Sequence, residues 1–270
     1  MAIIKTRNNI LDDLQGFSNI EADNMPLAIA VAGLTWKIND CNSVFAGIRR
    51  IDEDYFTSDV TSLFTHSSCG IYPTLSSNYP VATFPDAAMG LHFLHNSERW
   101  TVQASVYNGT AHHRFTGRDN VFRICPSSDG VLTMAQASYH TSQGGYFAGA
   151  ALHYGDLEDT AQRKARTTLW ASGEQQVGNQ VSLFAAYSHA LASDSQCRDF
   201  AGAGVRWTHR KVQVGLFTNY AHFGNINEWT TELTCKWQIN DHIYLQPALH
   251  YIVNKKDSKA AGLLRMGIEL

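Results

Sequence analysis

The sequence predicts an all-β protein, an antiparallel transmembrane β-barrel. Three observations carry that prediction. Segments of about ten residues alternate between apolar and polar side chains, the period-2 pattern of a strand between two unlike environments. Charged residues make up 17% of the 270-residue chain, below the roughly 25% of an ordinary soluble domain. No window approaches about 18 consecutive apolar residues, so there is no candidate transmembrane helix and a bilayer would have to be crossed by strands.

Taken in order, strands are expected at Leu27–Ile38, Ser43–Ile51, Ala87–His95, Trp100–Asn108, Val131–His140, Tyr146–Tyr154, Ala165–Ser172, Val181–Ser188, Phe200–His209, Val212–His222, Glu228–Ile239, His242–Asn254 and Ala260–Leu270. That makes about 13, within a range of about 12–16 for the whole barrel. The clearest is Glu228–Ile239, where Trp229, Thr231, Leu233, Cys235, Trp237 and Ile239 oppose Glu228, Thr230, Glu232, Thr234, Lys236 and Gln238. In the first half, Val44, Ala46 and Ile48 mark a lipid face, which turns Gly47 and Arg49 inward and leaves Arg50 to snorkel at the rim.

A soluble barrel or sandwich also alternates, and two further details favour the membrane. Trp229 and Trp237 share a face eight residues apart, about 26 Å along an extended strand and near the spacing of two aromatic girdles. The chain then ends in a strand that is apolar at every second position, Leu264, Met266, Ile268 and Leu270. Joins such as His209-Arg210-Lys211 leave room only for tight turns. Asn108–Gly130 and Gly155–Lys164 are long and polar, and short turns at one end with long loops at the other characterise outer-membrane barrels.

Asp52–Asp86 is the longest stretch with neither helical period nor strand alternation. So long a structureless run in a compact protein is usually functional. It is expected to fold into, or across the mouth of, the barrel, within a single domain spanning residues 1–270.

Composition excludes several classes. A net charge of −3 offers no basic surface for nucleic acid. Five cysteines form no CxxC pair; scattered free thiols are expected, with a Cys41–Cys69 bridge left open. Twelve histidines include one adjacent pair, His112-His113, whose side chains point apart on an extended chain and chelate poorly. Asp52, Asp54 and Asp59 lack the glycine and final glutamate of a calcium loop. No phosphate-binding Gly-rich loop and no GxSxG elbow occur, so no cofactor, metal or catalytic constellation is expected. The first 25 residues contain no apolar signal-peptide core.

Over Asp13–Gly109 the pattern resembles a known family. DDLQGFSNIEA, GIRRIDEDYF, SLFTHSSCGI, YPVATFPDAAMGLHF and VQASVYNG follow one another as in carbohydrate-selective porins of the OprB type. YLQPALHYIVN and the final GLLRMGIEL resemble that family's last two strands. The resemblance implies a 16-stranded outer-membrane porin of a Gram-negative bacterium, passing small carbohydrates by passive diffusion through a lumen narrowed by inward-folded loops. It further implies strands ahead of the DLQG-like segment that this chain lacks, outer-membrane lipid as a partner and a homo-oligomer as one open reading. Asp52, Glu53 and Asp54 beside Arg49 and Arg50 then become charges of a constriction. Tyr55, Phe56, Phe64, Tyr72, Tyr79 and Phe84 become rings on which a sugar stacks, and Glu232, Lys236, Gln246 and His250 become lumen polar groups. An outer-membrane barrel enzyme such as a lipid hydrolase, and a non-conducting structural or binding barrel, stand as alternatives.

Overall fold

The computed structural model describes residues 11, 13–19, 28–117, 119–157, 162–255 and 257–268. It is built on one 13-stranded sheet in which every strand pairs antiparallel with its sequence neighbour. The strands are β1 Ala32–Lys37, β2 Asn42–Arg49, β3 Ala88–Asn96, β4 Trp100–Asn108, β5 Val131–Thr141, β6 Gly144–Gly155, β7 Lys164–Val177, β8 Val181–Ala190, β9 Cys197–His209, β10 Val212–Phe223, β11 Ile226–Gln238, β12 Ile243–Asn254 and β13 Asp257–Ile268. Among the described residues no helix is long and apolar enough to cross a membrane. Each strand expected from alternation is present, with ends shifted by a few residues; β1 is shorter than expected, and Leu27 and Leu270 lie outside the described residues.

The burial pattern is that of a membrane wall turned inside out relative to a soluble sheet. On β11, Trp229, Leu233 and Trp237 are exposed while Glu228, Thr230, Glu232 and Thr234 are buried. The same parity holds along β12, where Leu249 and Tyr251 point out and Gln246 and His250 point in. Exposed apolar side chains on the convex face and buried polar ones on the concave face suit lipid outside and a polar lumen inside. Trp36, Trp100, Tyr146, Trp207 and Trp237 stand exposed next to the short turns, and Tyr154, Tyr187, Trp229 and Tyr251 near the opposite ends of their strands. These are two aromatic girdles, where an amphipathic ring meets the headgroup region.

The outward assignment of Val44, Ala46 and Ile48 needs one correction. Ile48 is buried, because Val121 of the β4–β5 loop and Ile29 fold over it together with Ala87 and Met89. The lipid face of β2 therefore stops short of its upper end.

Residues 50–87, between β2 and β3, turn back into the concave space. They hold three short 3-10 turns, Ile51–Glu53, Thr61–Leu63 and Ser67–Cys69, and a one-turn helix α1, Pro73–Ser76, started by a proline at its first position. Their side chains form the core. Tyr55, Phe56, Phe64, Tyr72, Leu75 and Tyr79 are buried together with Leu132 and Met134 of β5, Trp170 of β7, Phe184 of β8, Phe200 of β9 and Phe217 of β10. A second one-turn helix, α2 Pro126–Asp129, closes the β4–β5 loop.

Candidate functional site

The concave side of the sheet is the candidate site, and what fills it decides what it does. The 50–87 loop is held by two kinds of contact. Towards β5–β10 its rings interlock with those of the wall. Phe56 lies 4.9 Å from Trp170, Phe64 5.2 Å from Phe217, and Tyr72 is stacked on Phe200 at 5.0 Å. Gly215 makes room for this. A Cβ there would sit 2.7 Å from the Phe64 ring and 2.8 Å from the Leu63 side chain, so any larger residue would push the loop off the wall.

Towards β11 and β12 the contacts are polar and directional. The Glu232 carboxylate accepts from Thr65 N–H at 2.9 Å, Thr65 Oγ1 at 2.9 Å and His66 N–H at 3.0 Å. Gln246 donates to the Leu63 carbonyl at 2.6 Å, and His250 Nε2 lies 3.0 Å from Thr65 Oγ1. Higher on β11, Glu228 accepts from the N–H groups of Leu14 and Gln15 at 2.9 Å and 3.0 Å. The segment 13–19 is bonded in turn to the loop, with Asn19 N–H donating to Thr65 O at 2.7 Å and Ser67 N–H to Gly16 O at 3.1 Å. Charge-assisted bonds of this kind are the stronger class, so the carboxylates of β11 act as latches.

The structure thus distributes the expected site residues in three groups. Glu232, Gln246 and His250 come together and bond to the loop backbone and Thr65, while His250 Nδ1 is buried without a hydrogen-bond partner. Lys236 lies lower on the same face, its ammonium 3.9 Å from the Tyr244 ring centroid. Arg49 pairs with Asp54 and lies over the Phe45 ring, and Arg50 pairs with Glu53, approaches Asp52 at 3.7 Å and lies over the Phe84 ring. Arg50 is folded back onto the loop instead of snorkelling outward, since two carboxylates sit within its reach. Of the six loop aromatics, Tyr55, Phe56, Phe64, Tyr72 and Tyr79 are buried in the core and only Phe84 is exposed. Packing against the wall removes more apolar area from water than an open stacking surface would, at roughly 25 cal/mol per Å².

Polar hollows remain at both ends of this filling. At the long-loop end a cavity of about 420 Å³ is lined by Asn78, Tyr79, Asp156, Arg166, Asp194 and Gln196. At the short-turn end one of about 290 Å³ is lined by Asp59, His140, Glu174, Gln175, Ser182 and Arg206. Strand β7 spans both, carrying Arg166 above, buried Trp170 in the middle and Glu174 below. Sequence reasoning missed Glu174 and Arg206. Glu174 accepts from Ser58 Oγ at 2.5 Å, and Arg206 donates to the Asp59 carbonyl, so both fasten the loop's lower end. The inward parity of β7 and β9 was the signal that could have found them.

Outside the strands, the β4–β5 loop is knitted by acidic groups. Asp86 meets His113 at 2.6 Å and Asp119 meets His112 at 3.2 Å. Burial pushes the Asp129 carboxyl up, but hydrogen bonds from Ser128, Asn108, Arg123 and His112 outweigh it and hold it at about 2. Among the described residues no group of three or more His, Cys, Asp or Glu is arranged to hold a metal ion. The five cysteines are free; Cys41 is exposed and Cys69 buried, so the bridge left open by the sequence is not formed.

No protein-family model matches the sequence, and no curated protein matches it. Solved structures do match in fold. The high-pH structure of Pseudomonas putida OprB is 14% identical, with a TM-score of 0.77 over 93% of this chain and 75% of that chain. An anion-selective porin from Comamonas acidovorans is 11% identical, with a TM-score of 0.60 over 87% and 73%. A loop-deletion mutant of OmpT, an outer membrane protein of Vibrio cholerae, is 11% identical, with a TM-score of 0.59 over 87% and 78%. At these identities the likeness is one of fold: the chain has the antiparallel wall of an outer-membrane porin.

Proposed function

We propose that the chain is a passive outer-membrane channel of a Gram-negative bacterium, in which the 50–87 loop meters small hydroxyl-rich solutes, sugars foremost. The observation that carries this reading is the inverted wall, apolar outside and polar inside, around a loop with a polar hollow above and below it. A hollow lined by carboxylates, arginine and amides, with Tyr79 at its floor, supplies the donors, acceptors and ring face that replace a sugar's hydration. Weak binding at each hollow favours release, and no turnover chemistry is involved. The carbohydrate-selective resemblance of the sequence points the same way.

A second reading is carried by a specific observation: the apolar core between the two hollows, with Tyr55, Phe56, Tyr72 and Trp170 all buried. On that reading the barrel is plugged and serves as a structural or binding element. Planar-bilayer recording separates the two. A channel gives stepwise ohmic conductance that maltodextrins reduce, and deletion of Thr57–Ser77 raises the conductance and weakens the sugar block. A wild-type chain that inserts silently, and conducts only after the deletion, establishes the plug. Unchanged conductance and block after the deletion would remove the loop from the path.

A further inference from the structure

Between β4 and β5 the chain crosses to the outer side of the wall. Ile48 and Met89 are partners across β2 and β3 on the outward face, and Val121 of the β4–β5 loop is buried in one cluster with Ile48 and Ala87, with Met89 packed alongside. The loop is fastened there. His112 and Ala87 exchange backbone hydrogen bonds at 2.9 Å and 3.1 Å, and the His113 ring meets Asp86 at 2.6 Å. Val121 N–H donates to the Arg114 carbonyl at 3.0 Å and Phe115 bridges to Asn120, which closes a small hairpin.

The hairpin sorts its side chains between the wall and the outside. Val121 faces the wall and is 1% exposed, and Arg123 turns back to Asp129 at 2.8 Å. Phe115, Phe122 and Ile124 are 51%, 56% and 65% exposed, and the two rings lie 6.2 Å apart. Single exposed apolar residues are ordinary, but a group of large ones marks a contact surface.

The girdles indicate what covers it. At the long-loop end Tyr154, Tyr187, Trp229 and Tyr251 stand exposed on β6, β8, β11 and β12. On β1 to β5 the outward side chains towards that end are Ala32, Ile48, Met89, Val106 and Val131, and no ring is among them. The strand-borne girdle therefore has a gap over this arc, and the hairpin that carries Phe115 and Phe122 is seated on the outer face of β2 and β3 within it. Long loops of outer-membrane barrels lie on the outer side. We propose that the β4–β5 hairpin is a lipid anchor, whose Phe115, Phe122 and Ile124 enter the outer leaflet at the boundary of headgroups and acyl chains and complete the girdle where the strands leave it open. Rings and branched aliphatics at that depth bury their apolar area while the neighbouring polar backbone stays hydrated. The anchor rests on the wall lying in a bilayer and not on whether the barrel conducts.

Photo-crosslinking of the unaltered chain tests this. The protein is reconstituted into phosphatidylcholine bilayers holding a lipid with a carbene-generating group near the headgroup end of its acyl chain. Adducts on the 114–124 peptide should reach a yield within about twofold of those on the peptides bearing Tyr154 and Tyr251. Adducts confined to the strand peptides overturn the anchor. Hairpin adducts that fall as the protein-to-lipid ratio rises, while those at Tyr251 hold, give the patch to a second copy and overturn it too. A chain without adducts anywhere overturns the membrane reading and the anchor with it. A second measurement uses Cys41→Ser, Cys125→Ser and Cys235→Ser as background. There a bimane on Phe122→Cys should lose about half its emission to acyl-brominated lipid and little to aqueous iodide, and one on Ser127→Cys the reverse. Iodide quenching at both sites places the hairpin in water and overturns the proposal.

Discussion

Two arcs of the same wall hold one loop in different ways. From β5 to β10 the concave face carries most of the buried apolar side chains, Met134, Ala151, Trp170, Phe184, Phe200 and Phe217, interspersed with polar ones such as Gln136, Thr168, Ser188 and Asn219. On β11 it is polar at each buried position, Glu228, Thr230, Glu232 and Thr234. Apolar burial is strong but non-directional, so the rings of the first arc supply adhesion, while isolated hydrogen bonds such as Ser58 to Glu174 and that between Thr74 and Ser188 fix individual points of the loop there. Hydrogen bonds to a carboxylate are directional, so Glu232 sets Thr65 and His66 at one level. The lesson is a difference in balance: the first arc is chiefly adhesive with a few fixing bonds, whereas β11 holds the loop by carboxylate hydrogen bonds.

The largest test attacks the adhesive arc. Phe64→Ala should cost about 3–5 kcal/mol of loop docking, since the ring leaves a cavity against Phe217 and Gly215. Limited proteolysis within 50–87 should accelerate while Thr65 keeps its partner. Cleavage at the wild-type rate would show that the rings are incidental.

Next comes the premise that odd positions of β11 face lipid. Leu233→Arg, on the exposed face near mid-strand, should impair insertion by about 2–4 kcal/mol. Gln213→Arg, inward on β10 at a partly open position, should insert nearly normally. Equal loss of heat-modifiable mobility on gels would mean that the faces are reversed.

The latch should show a smaller cost and a different signature. Glu232→Ala orphans three donors and should weaken docking by about 1–3 kcal/mol. Amide exchange at Thr65 and His66 should rise, while the rings around Trp170 stay buried. If exchange rises equally across the whole loop, the two arcs do not differ in role.

The smallest effect lies outside the bilayer. Asp129 is held at about 2, below its ordinary 3.8, so its ionised form favours the folded loop. Its contribution is complete above about pH 4 and disappears as pH falls towards 2. Amide exchange in residues 109–130 should therefore rise across that window, and Asp129→Asn should abolish the dependence. An identical acid profile in both proteins would place the sensitivity elsewhere.

Much of the wall was legible in the sequence. A strand buried differently on its two faces must alternate, so Glu232 and Leu233 announce opposite environments to anyone reading the order of residues. The resemblance carried by DLQGFSNIEA and LQPALHYI was likewise visible without coordinates, and the fold agrees with it. The long loop announced itself by having no period at all.

Which inward side chains the loop covers, however, was settled only in three dimensions. Glu232, Gln246 and His250 were read as free lumen polar groups, and Tyr55, Phe64 and Tyr79 as an open stacking surface. All six turn out to be occupied with each other's elements, because the loop and the wall meet across separations such as the 167 residues between Thr65 and Glu232. Alternation is a local property and records only which side of the sheet a residue takes. What else occupies that side depends on contacts between distant segments, and those exist only once the wall has folded around its own loop.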